Sequence, residues 1–121
     1  MAVRLDWVSG GVTCDPLYRM TKFGSDGKDH YTKDEVSVSI TGTGNAKDII
    51  FPHNKHHIRG FYSLYGYDAD SQDLVFSNFA TPPYVKKGMK LRVWYGEDLF
   101  NGCEINNKGK TCVDVYGRFQ V

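Results

Sequence analysis

From Val36 to Ile40 the chain alternates apolar and hydroxyl side chains without a break, Val-Ser-Val-Ser-Ile. A period of two puts successive side chains on opposite faces of an extended strand, whereas a helix would scatter Val36, Val38 and Ile40 around its circumference. The same alternation opens the chain, where Val3, Leu5 and Trp7 interleave with Arg4, Asp6 and Val8, and it returns at Leu91, Val93 and Tyr95. Turn signals separate these runs: Gly10-Gly11, the GTGN of 42–45, Asp68 to Asp73, Pro82-Pro83 and Lys86-Lys87-Gly88. No segment repeats apolar residues at the spacing of three and four that an amphipathic helix needs. Seven or eight short strands with 13 glycines therefore predict an all-β fold, a single antiparallel β-sandwich of jelly-roll-like type spanning 1–121.

Further strands are expected in the short apolar run Asp48–Phe51 ended by Pro52, within the aromatic-rich Ile58–Tyr67, and from Leu74 to Phe76. Cys14 to Glu35 reads as a long polar loop holding one short strand near Tyr18–Phe23. A faint echo between GGVTCDPLYR and GKTCVDVYGR is too short for a duplication, but it fits first and last strands lying side by side.

With 15 basic against 14 acidic residues, the net charge of +1 gives no general attraction for nucleic acid or an anionic membrane. No apolar run approaches a membrane span, so insertion is not expected. The opening MAVRLDWVSG has no basic start followed by an apolar leader, which reads as a cytoplasmic chain or a mature form carrying a start Met. Cys103 and Cys112 are near enough in sequence to be bridged, and Cys14 would pair with Cys112 instead if the end strands are neighbours. Three reduced cysteines are the third alternative.

The densest chemistry lies between Trp94 and Gly117, WYGEDLFNGCEINNKGKTCVDVYG. Lys90–Tyr95 and Cys112–Tyr116 have strand composition, so the stretch is expected to be a hairpin whose loop carries Glu97, Asp98, Asn101, Glu104, Asn106 and Asn107. Carboxylate and amide oxygens at uneven spacing are what Ca2+ demands, six to eight of them from a loop that folds back on itself. Asp98, Glu104, Asn106 and Asn107 are the expected metal ligands. Other features are weaker. Asp68, Asp70 and Asp73 resemble half of an EF-hand loop without its bend glycine or closing glutamate, and His53, His56 and His57 lack the further ligand a closed zinc site requires. Trp94, Tyr95, Tyr65 or Tyr67 would offer a ring on which a sugar stacks its apolar face. No nucleophile elbow, phosphate loop or zinc motif frames the Ser, His and Asp residues, so no enzyme activity is expected.

Tyr95 through Val115 resembles the C-terminal hairpin of the bacterial calcium-dependent, galactose-specific soluble lectins, with an acidic residue, a Gly-containing loop and Asn-Asn-x-Gly between two strands. That resemblance implies that Asp98 matches the loop aspartate, and that Asn106 and Asn107 hold the ion, the second also reaching the sugar. The loop here is one residue longer, and the threonine ligand of those lectins has no counterpart unless Glu104 replaces it. Lys90 to Leu99 together with Cys112-Val113-Asp114-Val115-Tyr116 also resembles a module of secreted and skeletal-matrix proteins of cnidarians. This second likeness implies an extracellular setting and a Cys103–Cys112 disulfide.

The expected function is thus a calcium-dependent lectin that recognises vicinal hydroxyls of carbohydrate, galactose-type glycans in the first place. Asn107, Glu104, Asp98, Trp94 and His57 are the expected sugar contacts. One shallow site is weak, so a homo-oligomer is expected to supply avidity. The alternative is a structural or adhesive extracellular module that binds protein or matrix.

Overall fold

The computed structural model describes residues 2–13, 19–24, 35–42, 49–52, 60–77, 85–99 and 107–119. Eight strands and one helical turn follow in the order β1 (Ala2–Thr13), β2 (Glu35–Val36), β3 (Val38–Thr41), β4 (Ile49–Phe51), β5 (Tyr62–Ser63), β6 (Asp73–Ser77), β7 (Arg92–Tyr95), α1 (Gly96–Leu99) and β8 (Lys108–Arg118). One three-stranded sheet has the order β6-β1-β8 and another the order β4-β3-β7, while β2 and β5 form a short ribbon. All pairings are antiparallel.

The two larger sheets meet through the alternating positions that the sequence marks as apolar. Val3 and Leu5 of β1 with Leu74 and Phe76 of β6 face Val38 and Ile40 of β3 and Phe51 of β4, and Phe23, Val36 and Tyr62 complete one core cluster. Phe51 and Phe76 join the layers, their rings tilted at 37° with centroids 5.9 Å apart. Each such side chain contributes roughly 1.5–3 kcal/mol by leaving water, and this makes the fold an antiparallel β-sandwich.

Three expectations change. The alternating run from Val36 to Ile40 is two strands, because Ser37 steps out of the ladder: its N–H bonds Phe23 O at 2.9 Å and its carbonyl accepts Gly96 N–H at 2.8 Å. Its hydroxyl face is not solvated either, since Ser37, Ser39 and Thr41 are as buried as the apolar positions. Gly10-Gly11 does not end β1. The strand continues past a bulge between Trp7 and Ser9 and pairs with β8 out to Thr13, opposite Lys108. Gly10 (φ +85°) and Gly109 (φ +100°) are needed there, because a Cβ on either would collide with a backbone carbonyl of the facing strand, Lys110 O and Gly11 O respectively.

The third correction concerns the expected hairpin. β7 pairs with β3 and β8 with β1, so the two strands flanking the oxygen-rich segment belong to different sheets. The segment is a crossover between layers, and it begins with the helical turn α1. First and last strands do lie side by side, as the sequence echo implies.

Candidate functional site at the sheet crossover

β7 carries two kinds of side chain. Val93 and Tyr95 stand opposite Ile40 and Val38, on the core side, whereas Trp94 stands opposite Ser39 on the reverse face. There the indole Nε1–H donates to Thr41 Oγ1 at 2.9 Å. Trp94 is therefore half-buried and held in one orientation over the serine and threonine stripe of β3.

At Gly96 the chain turns into α1. A Cβ at this position would come within 2.5 Å of Gly60 O and 2.7 Å of Ser37 Oγ, so only glycine lets the two backbones touch. Gly96 precedes Asp98 by two residues, so the contact fixes the start of the oxygen-rich segment. Leu99 turns inward and is buried, while Asp98 points to solvent.

Asn107 marks the other end of the crossover, just before β8. Its Oδ1 is buried and has no hydrogen-bond donor. Leaving such an acceptor unpaired costs about 1–3 kcal/mol, so its position points to a species outside the polypeptide, a water or a cation. Tyr95, just before α1, and Thr111, within β8, line the same cleft with Val12. Glu104, Asn106 and His57 lie outside the described residues. No group of three or more His, Cys, Asp or Glu placed to hold a metal occurs among the described residues. A cation at Asn107 would need the oxygens of 100–106.

The cleft between β7 and β8 encloses about 130 Å³, lined mainly by Leu5, Val12, Phe23, Val38, Val93 and Val113, below the roughly 300–1,000 Å³ of ordinary ligand pockets.

No protein-family model and no curated protein matches this chain. A solved structure does: AJLec from the sea anemone Anthopleura japonica, at 30% identity and a TM-score of 0.83, over 98% of this chain and 79% of that one. The chain belongs to the family of the sea-anemone lectin AJLec.

Membership in the AJLec family bears out the cnidarian likeness as far as a cnidarian lectin-like fold, and the β-sandwich. The bacterial likeness is not supported, and its structural premise, a hairpin from β7 to β8, fails in the AJLec-like arrangement of sheets. Two of the expected aromatic platforms separate clearly. Tyr65 is 99% exposed at the tip of the tight turn bridging Leu64 and Tyr67, whereas Tyr67 packs against the core. The acidic turn at Asp68 is closed on itself: Asp68 Oδ1 accepts Asp70 N–H at 2.8 Å, and Asp70 pairs with Arg19 at 2.6 Å. It is a capped turn with its carboxylates engaged.

Cys112 is half-buried with a free thiol, and the register sets it opposite Ser9. The disulfide expected at Cys112 is thus not formed; Cys14 and Cys103 lie outside the described residues. Sequence reasoning missed Thr41, which fixes Trp94, and the Gly60–Gly96 contact, which fixes α1. Thr41 had a signal, since hydroxyl residues alternating along a fully buried strand need partners on the reverse face. The glycine contact had none.

Proposed function

We propose that this AJLec-family chain is a secreted, calcium-dependent lectin that binds galactose-type glycans at the crossover between β7 and β8. Family membership supports carbohydrate binding in general, and one observation supports the cation: the buried, donorless Oδ1 of Asn107 at the edge of an oxygen-rich segment. A neutral amide carbonyl held in this way is a hard-cation ligand.

In this reading Asp98 and Glu104 supply negative charge, and Asn106 and Asn107 supply neutral oxygens. Bound calcium would contribute a positive centre at which two adjacent sugar hydroxyls replace water. The protein's own part is orientation. α1 fixes the backbone that carries Asp98, the start of β8 fixes Asn107, and the Thr41 bond fixes the Trp94 ring, whose remaining exposed surface can take the apolar face of a sugar. His57, which lies outside the described residues, would donate to a hydroxyl in this reading.

The test is a glycan array run with calcium and again with a chelator, together with calcium titration of the free protein. Galactosides should be retained only with calcium. Asp98→Ala and Asn107→Ala should each lose calcium binding and at least tenfold in sugar affinity with an unchanged circular dichroism spectrum. Sugar binding that survives chelation would remove the cation from the proposal, and an array blank in both conditions would remove the lectin.

A further inference from the structure

The outer face of the β6-β1-β8 sheet carries a hollow at the end far from the crossover. Val3 and Leu5 point into the core, so Ala2 and Arg4 point the other way. The register sets Ala2 between Ser77 and Arg118, and Arg4 between Val75 and Tyr116. Ala2 and Ser77 are short where Arg4, Arg118 and Tyr116 are long, and between these heights lies a depression of about 390 Å³ lined chiefly by the six residues. That volume falls within the roughly 300–1,000 Å³ of small-ligand sites. Tyr116 is nine residues along the chain from Asn107, so the hollow stands roughly 30 Å from the crossover at 3.3 Å per residue.

Its rim is cationic and partly preset. Arg4 is held from two sides, by the contact of Nε with Asp6 Oδ1 at 3.0 Å and by the Tyr116 ring, whose centroid lies 4.7 Å from the guanidinium carbon. A guanidinium has several N–H donors, so the contact with Asp6 leaves capacity for a second anion, and a fork already held in place loses little freedom when it binds one. Asp6 offsets the charge of Arg4. Arg118 has no ion pair among the described residues, and the charge of the hollow follows from it. The floor is apolar, made by Ala2, Val75 and the side of the Tyr116 ring, which is half exposed. Two guanidinium forks suit an oxyanion, and an apolar floor beside an aromatic ring suits the C–H face of a sugar.

We propose that this hollow binds one acidic sugar residue without calcium, its sulfate or carboxylate between Arg4 and Arg118 and its C–H face over Ala2, Val75 and Tyr116. The choice of a sugar over other small anions rests on the lectin reading of the chain; the charge and shape of the hollow do not. The neighbouring row limits the ligand to a single acidic residue. Asp6 stands opposite Asp73 on one side and Asp114 on the other, about 7 Å beyond Arg4 along the strands. A polyanion laid along the sheet would meet three carboxylates, so the site takes the acidic end of a glycan.

The experiment is an amide NMR titration of the full chain in a chelator at low ionic strength, with galactose 6-sulfate, glucuronate, galactose and inorganic sulfate as probes. One or both acidic sugars should shift the amides of 2–4, 75–77 and 116–118 and spare those of 107–110, and the sugar that acts identifies sulfate or carboxylate as the bound group. Arg118→Ala and Arg4→Ala should each weaken this binding about two- to fivefold, the range for exposed ion pairs. No shift with either acidic sugar, equal shifts with galactose, or inorganic sulfate moving the same amides at the same concentration would each overturn the proposal. Failure of the crossover reading is told apart by calcium and by place: it appears as loss of galactoside binding with calcium present, while the shifts at the hollow persist in chelator.

Discussion

β7 and β8 flank the same segment and do opposite work. β7 has four residues, pairs with β3, and has its central indole tied down by Thr41. β8 has eleven residues and a ladder with β1 interrupted by a bulge and relaxed by glycines at close approaches. The difference teaches where order is built in. The start of the crossover is fixed by side-chain and helical-turn contacts, its end by a long backbone ladder.

The comparison breaks most severely at the ladder. Gly10→Val places a β-branched residue at φ +85° with its Cβ against Lys110 O, which should cost about 3 kcal/mol or more. Denaturant unfolding should show a large loss of midpoint or no folded protein. At the other anchor, Gly96→Ala should cost about 1–3 kcal/mol, because the new methyl meets Gly60 O and Ser37 Oγ. It should also displace Asp98. If the anchors are independent, Gly96→Ala lowers calcium affinity while amide exchange along β8 stays slow; exchange rising equally in both strands would show that the ends are coupled.

The alkaline limb separates the two sheets more gently. Tyr62 donates its hydroxyl to Val38 O beneath β3; burial pushes its phenol well above the ordinary value of 10.0, and a carbonyl acceptor cannot stabilise the phenolate. A folded-state pKa raised above the unfolded one means the contribution is complete below about pH 10 and is lost progressively above it. Tyr62→Phe should cost about 1 kcal/mol at neutral pH and flatten the fall above pH 10. In the wild type, amides of β3 and β7 should open there before those of β1 and β8.

Much of the fold was legible because it rests on a local period. Val3, Leu5, Val36, Val38 and Ile40 face the core as their alternation requires, and the pairing of first and last strands was visible as an echo. What failed was partner choice. Lys90–Tyr95 and Cys112–Tyr116 have good strand composition and a short spacer, which is all that a hairpin shows in sequence, but both strands found longer or better-packed partners in β3 and β1. Gly10-Gly11 looked like a stop because paired glycines usually mark a turn; in β1 Gly10 instead allows the close approach of β8. Asp98 and Asn107 were singled out by residue type alone. The donorless burial of Asn107 Oδ1 was not legible, since it depends on how the start of β8 packs.

The smallest effect is the most local. Trp94→Phe removes the donor to Thr41, and Thr41→Val removes the acceptor, leaving an indole N–H unpaired in a half-buried place. Each should cost about 0.5–1.5 kcal/mol in stability, and the double variant should cost less than the sum, because the pair is lost only once. The informative quantity is sugar affinity. If the bond orients the ring for stacking, Thr41→Val weakens galactoside binding several-fold with calcium affinity unchanged, and Trp94→Phe does the same; if Trp94 merely covers the hydroxyl stripe of β3, both variants lose stability and bind sugar like the wild type.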